Sequence, residues 1–415
     1  MIRAIDRCRV CGNTNLPTVL DLGSQCLTGV FPRKRDEVVP SAPLELVKCL
    51  GDARAACGLV QLRHSYSPSE MYGDNYGYRS SLNRSMVEHL RAKAAALRER
   101  VTLAPGDVVL DIGSNDGTSL SFYPSSLRRI GIDPTSAKFA RYYPEGVTRV
   151  ADFFSARTFF AASGGQKASL VTSLAMFYDL EAPLDFAREI AEVLVDGGTW
   201  HFEQSYLPRM LETNSYDTIC HEHLEYYALR QIAWIAERSG FRVADVTLND
   251  VNGGSFAVTA VKDGSPAAGH APAVATMLAS EAAAGLDTLA PYQAFAARAL
   301  KNRDDLRALV RRLRAEGKRV FGLGASTKGN VTLQYCGFTE ADLGCIAEVN
   351  EDKFGSFTPG TKIPICSERE AYAGKPDYLL VLPWHFRAGL VRGAAGFLKQ
   401  GGKLIFPLPQ IEIVG

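Results

Sequence analysis

The chain has 415 residues, 46% of them apolar and 22% charged, with a formal net charge of +1. That length is too great for one hydrophobic core, so two or three domains are expected. The near-neutral charge gives no electrostatic basis for binding nucleic acid or an anionic membrane surface. No stretch approaches the ~20 apolar residues of a membrane-spanning helix, and Met1 to Arg7 lacks the apolar core of a signal peptide. A cytoplasmic setting is expected, where thiols stay reduced, so the nine cysteines are not read as a disulfide framework.

Five of the nine cysteines lie in the first 57 residues. Cys8-Arg9-Val10-Cys11 is a C-x-x-C knuckle, and Cys49 with Cys57 offers a second pair. Two such pairs can close a tetrahedral four-thiolate zinc site, which leaves no open coordination position and is therefore structural. The competing reading, a redox C-x-x-C, needs a strand and crossover helix around it, and these are missing. Cys26 is left over and packs as a small apolar group. A small segment with few apolar clusters needs such a metal staple to stay folded.

Residues Tyr66 to Arg79 form an aromatic, Gly-punctuated stretch with neither helical nor strand period. Loops of this make-up cover sites, and they also serve as plain linkers. Ser85 to Arg100 has the period of an amphipathic helix.

The run Val108-Val109-Leu110-Asp111-Ile112-Gly113-Ser114-Asn115-Asp116-Gly117 is a buried strand ending in a Gly-bounded turn. Gly113 and Gly117 would let the backbone approach a ligand. They are not spaced as G-x-G-x-x-G, so a dinucleotide fingerprint fits poorly. The pattern instead resembles the first motif of class I S-adenosylmethionine (SAM) methyltransferases. Arg129 to Asp133 reads as the next strand, its acid about 20 residues on and suited to a ribose diol. Val150-Ala151-Asp152-Phe153-Phe154 follows, with an acid and aromatics of the kind that surround an adenine. Asp111, Gly113, Asn115, Gly117, Asp133, Asp152 and Phe153 are thus the candidate cofactor residues.

Leu170 to Leu180 is the expected fourth strand and its exit loop, with Tyr178 and Asp179 where open α/β sheets bind ligands. A helix from Asp185 to Leu194 stops at Gly197-Gly198, and Thr199 to Gln204 is the fifth strand. The polar cluster Tyr216 to Tyr227 holds Cys220-His221-Glu222-His223, which is not H-E-x-x-H and so is no zinc-protease helix. A histidine here can take a proton near neutral pH with an adjacent glutamate to orient it or bind hydroxyls. Composition alone equally allows histidines that only cap and pack. Val246 to Val258 reads as a closing hairpin with a Gly-rich turn.

Gly264 to Pro272 has the composition of a linker. After a helical stretch, Arg319 to Asn330 repeats the strand, Gly turn and helix design, with Ser326, Lys328 and Asn330 placed for a phosphate at a helix N-terminus. Further strands at Ile346 to Asn350, Tyr378 to Leu382 and Lys403 to Phe406 make the C-terminal third a second α/β unit.

Taken together, Cys8, Cys11, Cys49 and Cys57, then Asp111-x-Gly113, then His221-Glu222-His223, then Gly324-Ala325-Ser326-x-Lys328-Gly329 span nearly the whole chain. In this combination the sequence resembles the three-domain sugar C-3′-methyltransferases that act on nucleotide-linked 4-keto deoxysugars. The resemblance implies an N-terminal zinc module, a central Rossmann-like class I SAM methyltransferase domain and a second, C-terminal Rossmann-like domain, here expected at residues 1–80, 81–265 and 266–415. It implies SAM and a structural zinc as cofactors, and a dTDP- or GDP-linked 4-ketosugar as partner of a monomeric enzyme. It also implies His223 as the base, with Glu222 and Tyr76 at the substrate. Tyr178, Asp179, Cys220 and His221 would border the sugar. Family members acting on 3-amino sugars resemble this chain less at Cys220, where they carry Tyr, and near Asp179, where they carry His, so the sugar itself stays open. The rival readings are O- or N-methylation of a nucleotide sugar, and a non-catalytic nucleotide-binding protein.

Overall fold

The computed structural model describes residues 2–52, 54–66, 79–262 and 272–415. The N-terminal strands are β1 (Thr18–Cys26), β2 (Ser41–Lys48) and β3 (Val60–Leu62). Then come β4 (Val108–Ile112), β5 (Arg128–Ile132), β6 (Val147–Val150), β7 (Ala168–Leu174) and β8 (Leu194–Ser205). The two-residue β9 (Glu225–Tyr226) precedes β10 (Phe241–Asn249) and β11 (Ser255–Lys262). The C-terminal third supplies β12 (Val320–Leu323), β13 (Ile346–Glu348), β14 (Ile365–Ser367), β15 (Tyr378–Val381), β16 (Lys403–Phe406) and β17 (Glu412–Val414).

The central sheet runs β10-β11-β8-β7-β4-β5-β6, parallel except for β11. All five residues of β4 are buried, as the middle strand of a parallel sheet covered on both faces must be. Its neighbours β5 and β7 lead off to opposite sides, so the crevice where ligands bind an open α/β sheet lies beyond the β4 end. Helix α1 (Arg84–Arg100) leads into this unit, started by Asn83, whose side chain accepts from Ser85 N. The glycine pair expected to stop the following helix lies elsewhere. Helix α2 (Pro183–Val193) ends at once into β8, which takes in Gly197 and Gly198 as an irregular stretch between Leu194 and Thr199.

The C-terminal sheet has the order β14-β13-β12-β15-β16-β17, parallel except for β17. This is a doubly wound, Rossmann-type order with an antiparallel edge. Helix α3 (Ala290–Ala315) precedes it, and α4 (Thr327–Cys336) follows β12. Ser326 caps α4 by accepting from Gly329 N, and Gly337, at φ 61, closes it in the left-handed conformation that glycine adopts without strain.

The N-terminal sheet runs β9-β3-β2-β1, so its fourth strand comes from far downstream. One continuous core holds residues of all three regions, among them Leu59, Tyr227 and Val331. Tyr76, and residues 264–271 of the stretch expected to be a linker, lie outside the described residues, while Pro272 opens a helix, Pro272–Ala283.

Candidate active site

The four cysteines converge. The Sγ atoms of Cys8, Cys11, Cys49 and Cys57 lie within 4.8 Å of one another, with Cys8–Cys57 and Cys11–Cys49 at 3.5 Å. A tetrahedron with zinc–sulfur bonds of about 2.3 Å needs sulfurs at this kind of spacing, so the set fits zinc. The knuckle turns because Gly12 adopts φ 73 and donates its N–H to Cys8 O at 2.9 Å. Asn13 Nδ2 donates to Cys49 Sγ at 3.3 Å, the kind of outer contact that orients a ligand.

At the β4 exit, Gly113, Asn115 and Gly117 have φ of 73, 51 and 75. A side chain at Gly113 would strike Met176, and one at Gly117 would strike Pro144, so the space these glycines leave is filled by protein. Asp111 is buried, its Oδ1 accepting from Thr172 Oγ1 at 2.6 Å, and burial pushes its carboxyl up to about 7. Asp133 Oδ2 accepts from Asn115 N at 2.8 Å, and Oδ1 accepts from Thr135 N and Oγ1, both at 2.6 Å. This acid ties the first turn to the second, and a carboxylate keeps acceptor sites beyond those bonds. Ser80 N donates to Asn115 Oδ1 and Ser81 N to Asp116 Oδ2, so the chain entering α1 closes over the turn. Asp152 is exposed, and Phe153 beside it leaves 51% of its surface open. The left-handed turn and the Asp133 carboxylate thus meet at the exit of the central strand, where an open α/β sheet binds ligands.

The catalytic candidates sit on the loop between β8 and β9. Cys220 O accepts from His223 N at 3.1 Å, closing a turn that sends the two histidines apart. His221 is fully buried, its Nε2 3.2 Å from Ala42 O and its ring edge-on to Tyr66 at 4.8 Å. It therefore faces the N-terminal sheet. His223 is half-buried and packs edge-on against Tyr178, ring centres 4.4 Å apart. Its Nδ1 lies 3.0 Å from Thr218 O. A carbonyl only accepts, so Nδ1 carries the proton and Nε2 is left basic. A narrow cleft beside this ring is lined by Tyr178, Thr218 and Tyr226.

Burial, then the charge of Lys328, then partly opposing support from Thr218 O, leave His223 lowered to about 4. Burial raises the Glu222 carboxyl, and its Oε1 lies 3.1 Å from where a side chain on Gly29 would begin. Burial pushes the Cys220 thiol well up, so it is no nucleophile. Asp179, half-buried, lies beside Tyr178 on the β7 exit loop.

The C-terminal residues behave differently from a phosphate cradle. Ala325 N donates to Glu348 Oε2 at 2.9 Å, so a carboxylate already holds that turn amide. Ser326 spends its acceptor on the helix cap. Asn330 is fully buried and donates to Thr28 O at 2.8 Å. Lys328 reaches across to donate to Asn252 O at 2.8 Å, and its charge is felt by Asp217, Cys220 and His223. Asp217 and Trp384 were not singled out from the sequence. Trp384 Nε1 donates to the buried Asp217 Oδ2 at 2.8 Å, fastening the C-terminal unit to the catalytic loop. No local spacing links two residues that meet only across domains.

Family models match in three consecutive blocks: a zinc binding domain over residues 8–72, a methyltransferase domain over 86–246 and a C-methyltransferase C-terminal domain over 250–409. The C-methyltransferase NovU of Streptomyces niveus is 33% identical over 420 aligned positions, covering 100% of this chain and 98% of the relative. The chain belongs to this C-methyltransferase family. Its central unit is a SAM-dependent methyltransferase domain, and its four-cysteine cluster is the zinc site of the N-terminal domain. Among solved structures, a Haloferax volcanii complex of the Trm112 methyltransferase activator with a methyltransferase aligns with 44% of this chain and 94% of its own, at 16% identity and a TM-score of 0.36. Magnesium protoporphyrin IX methyltransferase from Synechocystis PCC 6803, with SAM bound, aligns with 43% and 79% at 16% identity and a TM-score of 0.31.

Proposed function

We propose that the enzyme methylates C3 of a dTDP- or GDP-linked 4-keto deoxysugar through an enolate. The observation that carries this reading is His223: one ring nitrogen is fixed as donor to Thr218 O at 3.0 Å, and the other is left basic beside Tyr178. A C–H next to a ketone is acidic enough for such a base when the enolate oxygen meets placed donors. His223 Nε2 takes the C3 proton. The phenol of Tyr178 or Tyr76 donates to the developing oxygen, and Lys328 supplies positive charge nearby. Glu222 holds sugar hydroxyls. Bound SAM supplies an electrophilic methyl group; Asp133, Asp152, Phe153 and the turn from Gly113 to Gly117 are the residues that would hold it. The electron pair released at C3 would form the new carbon–carbon bond as the sulfur–methyl bond of the donor breaks, its sulfur leaving as the neutral thioether of S-adenosylhomocysteine. The zinc site, closed by four thiolates, stays outside the chemistry.

Deuterium exchange tests the base. In deuterated water without SAM, wild-type enzyme should place deuterium at C3 of a dTDP-linked 4-ketosugar, and His223→Asn should not. Equal exchange by both proteins would remove His223 from the role.

A further inference from the structure

Glu225 lies in β9, two residues beyond His223, and is 1% exposed. Its Oε2 accepts from Leu180 N at 3.3 Å, two residues past Tyr178. Its Oε1 lies 3.8 Å from Nε of Arg9, whose side chain is 2% exposed. Arg9 stands in the knuckle between Cys8 and Cys11. It is anchored by donating to Leu62 O at 2.6 Å, His64 O at 3.2 Å and Ser65 Oγ at 3.0 Å, and its Nε is 3.7 Å from Glu181 Oε2. Leu62 N in turn donates to Leu224 O at 2.9 Å. One carboxylate thus touches the strand behind His223, the loop behind Tyr178 and the zinc knuckle. Burial pushes the Glu225 carboxyl well up, opposed by the Arg9 guanidinium. Burying such an ionisable pair rarely adds stability over apolar packing of the same volume.

We propose that Arg9 and Glu225 are positioning residues: they bracket the two walls of the site and make the His223–Tyr178 contact depend on the zinc knuckle. This rests on the reading of His223 as the base. The bracket joins elements far apart in sequence through buried contacts. A displacement of the knuckle is therefore transmitted to the imidazole even though neither residue touches substrate.

The test reads the imidazole directly, in the zinc-loaded full chain with ¹³C-labelled histidine. The signals of His223 are assigned by their loss in His223→Asn. Glu225→Gln keeps an acceptor for Leu180 N and loses the ionisable carboxyl that faces Arg9; Glu225→Ala loses both. The His223 signals should move in Glu225→Gln and further in the same direction in Glu225→Ala, while those of His89, His201 and His385 stay in place. Both variants should keep about one zinc per chain and unchanged SAM affinity. Turnover of a dTDP-linked 4-ketosugar should fall about 10-fold in Glu225→Gln with KM for SAM unchanged. Unmoved His223 signals in Glu225→Gln, or loss of zinc from it, would overturn the proposal; should Glu225→Ala not fold, Glu225→Gln alone decides. A wild-type enzyme inactive on ketosugars would speak against the proposed function, while the spectra would still answer for the bracket.

Discussion

At His223, the proposed base, two neighbours set the state of the ring. Thr218 O fixes the tautomer, while burial and the Lys328 charge hold the imidazole near 4. A base works in its neutral form, and this ring is neutral at every pH above its own pKa. The acid limb of kcat/KM, which reports the free enzyme, should accordingly lie well below the usual histidine value of about 6.5. Lys328→Met removes a cation that lowers the pKa, so the limb should move upward in pH; a limb that stays put would show that Lys328 does not act on the base. His223→Asn should retain SAM binding by calorimetry and lower turnover by about 10²–10⁴-fold. His221→Asn should leave turnover within about 10-fold but cost roughly 1–3 kcal/mol in urea unfolding, since it abandons a buried contact to Ala42 O. The sequence could not choose between the two histidines, because two residues apart on an extended chain they point the same way. The turn closed by Cys220 O and His223 N sends the two rings to different neighbours, His221 to Ala42 O and His223 to Tyr178.

Among the elements, the β4 exit turn illustrates what is readable locally. An apolar strand followed by glycines announces a left-handed turn, and the φ values at Gly113 and Gly117 carry it out. What those glycines face was not readable: Met176 and Pro144 come from later in the chain. Asp133, in the position of a ribose acid, also holds Asn115 N and Thr135 in place. Asp133→Ala should therefore weaken SAM binding by about 1–3 kcal/mol in calorimetry, and Asp133→Asn, which keeps an acceptor, by less. Unchanged affinity in both would put the cofactor elsewhere. The C-x-x-C knuckle was legible because zinc-ligand spacing is a local property. The sheet beside it was not, since its last strand, Glu225–Tyr226, comes from within the methyltransferase unit, far along the chain.

Across the whole molecule, the catalytic loop is the place where three units meet. The N-terminal sheet holds His221 through Ala42 O, the knuckle reaches Glu225, and the C-terminal unit reaches in with Lys328 and Trp384. The repeated strand, Gly turn and helix at Val320 to Cys336 was apparent from the residues. That its lysine turns away from its own helix end toward Asn252 was not, because helix-end logic describes one unit and Lys328 answers to two. On the proposed function this meeting place makes a carbon nucleophile. The direct measurement is carbon NMR of the product formed from SAM labelled with ¹³C in its methyl group and a dTDP- or GDP-linked 4-ketosugar. The label should be bonded to the ring carbon next to the ketone; a label bonded to oxygen or nitrogen would contradict carbon methylation.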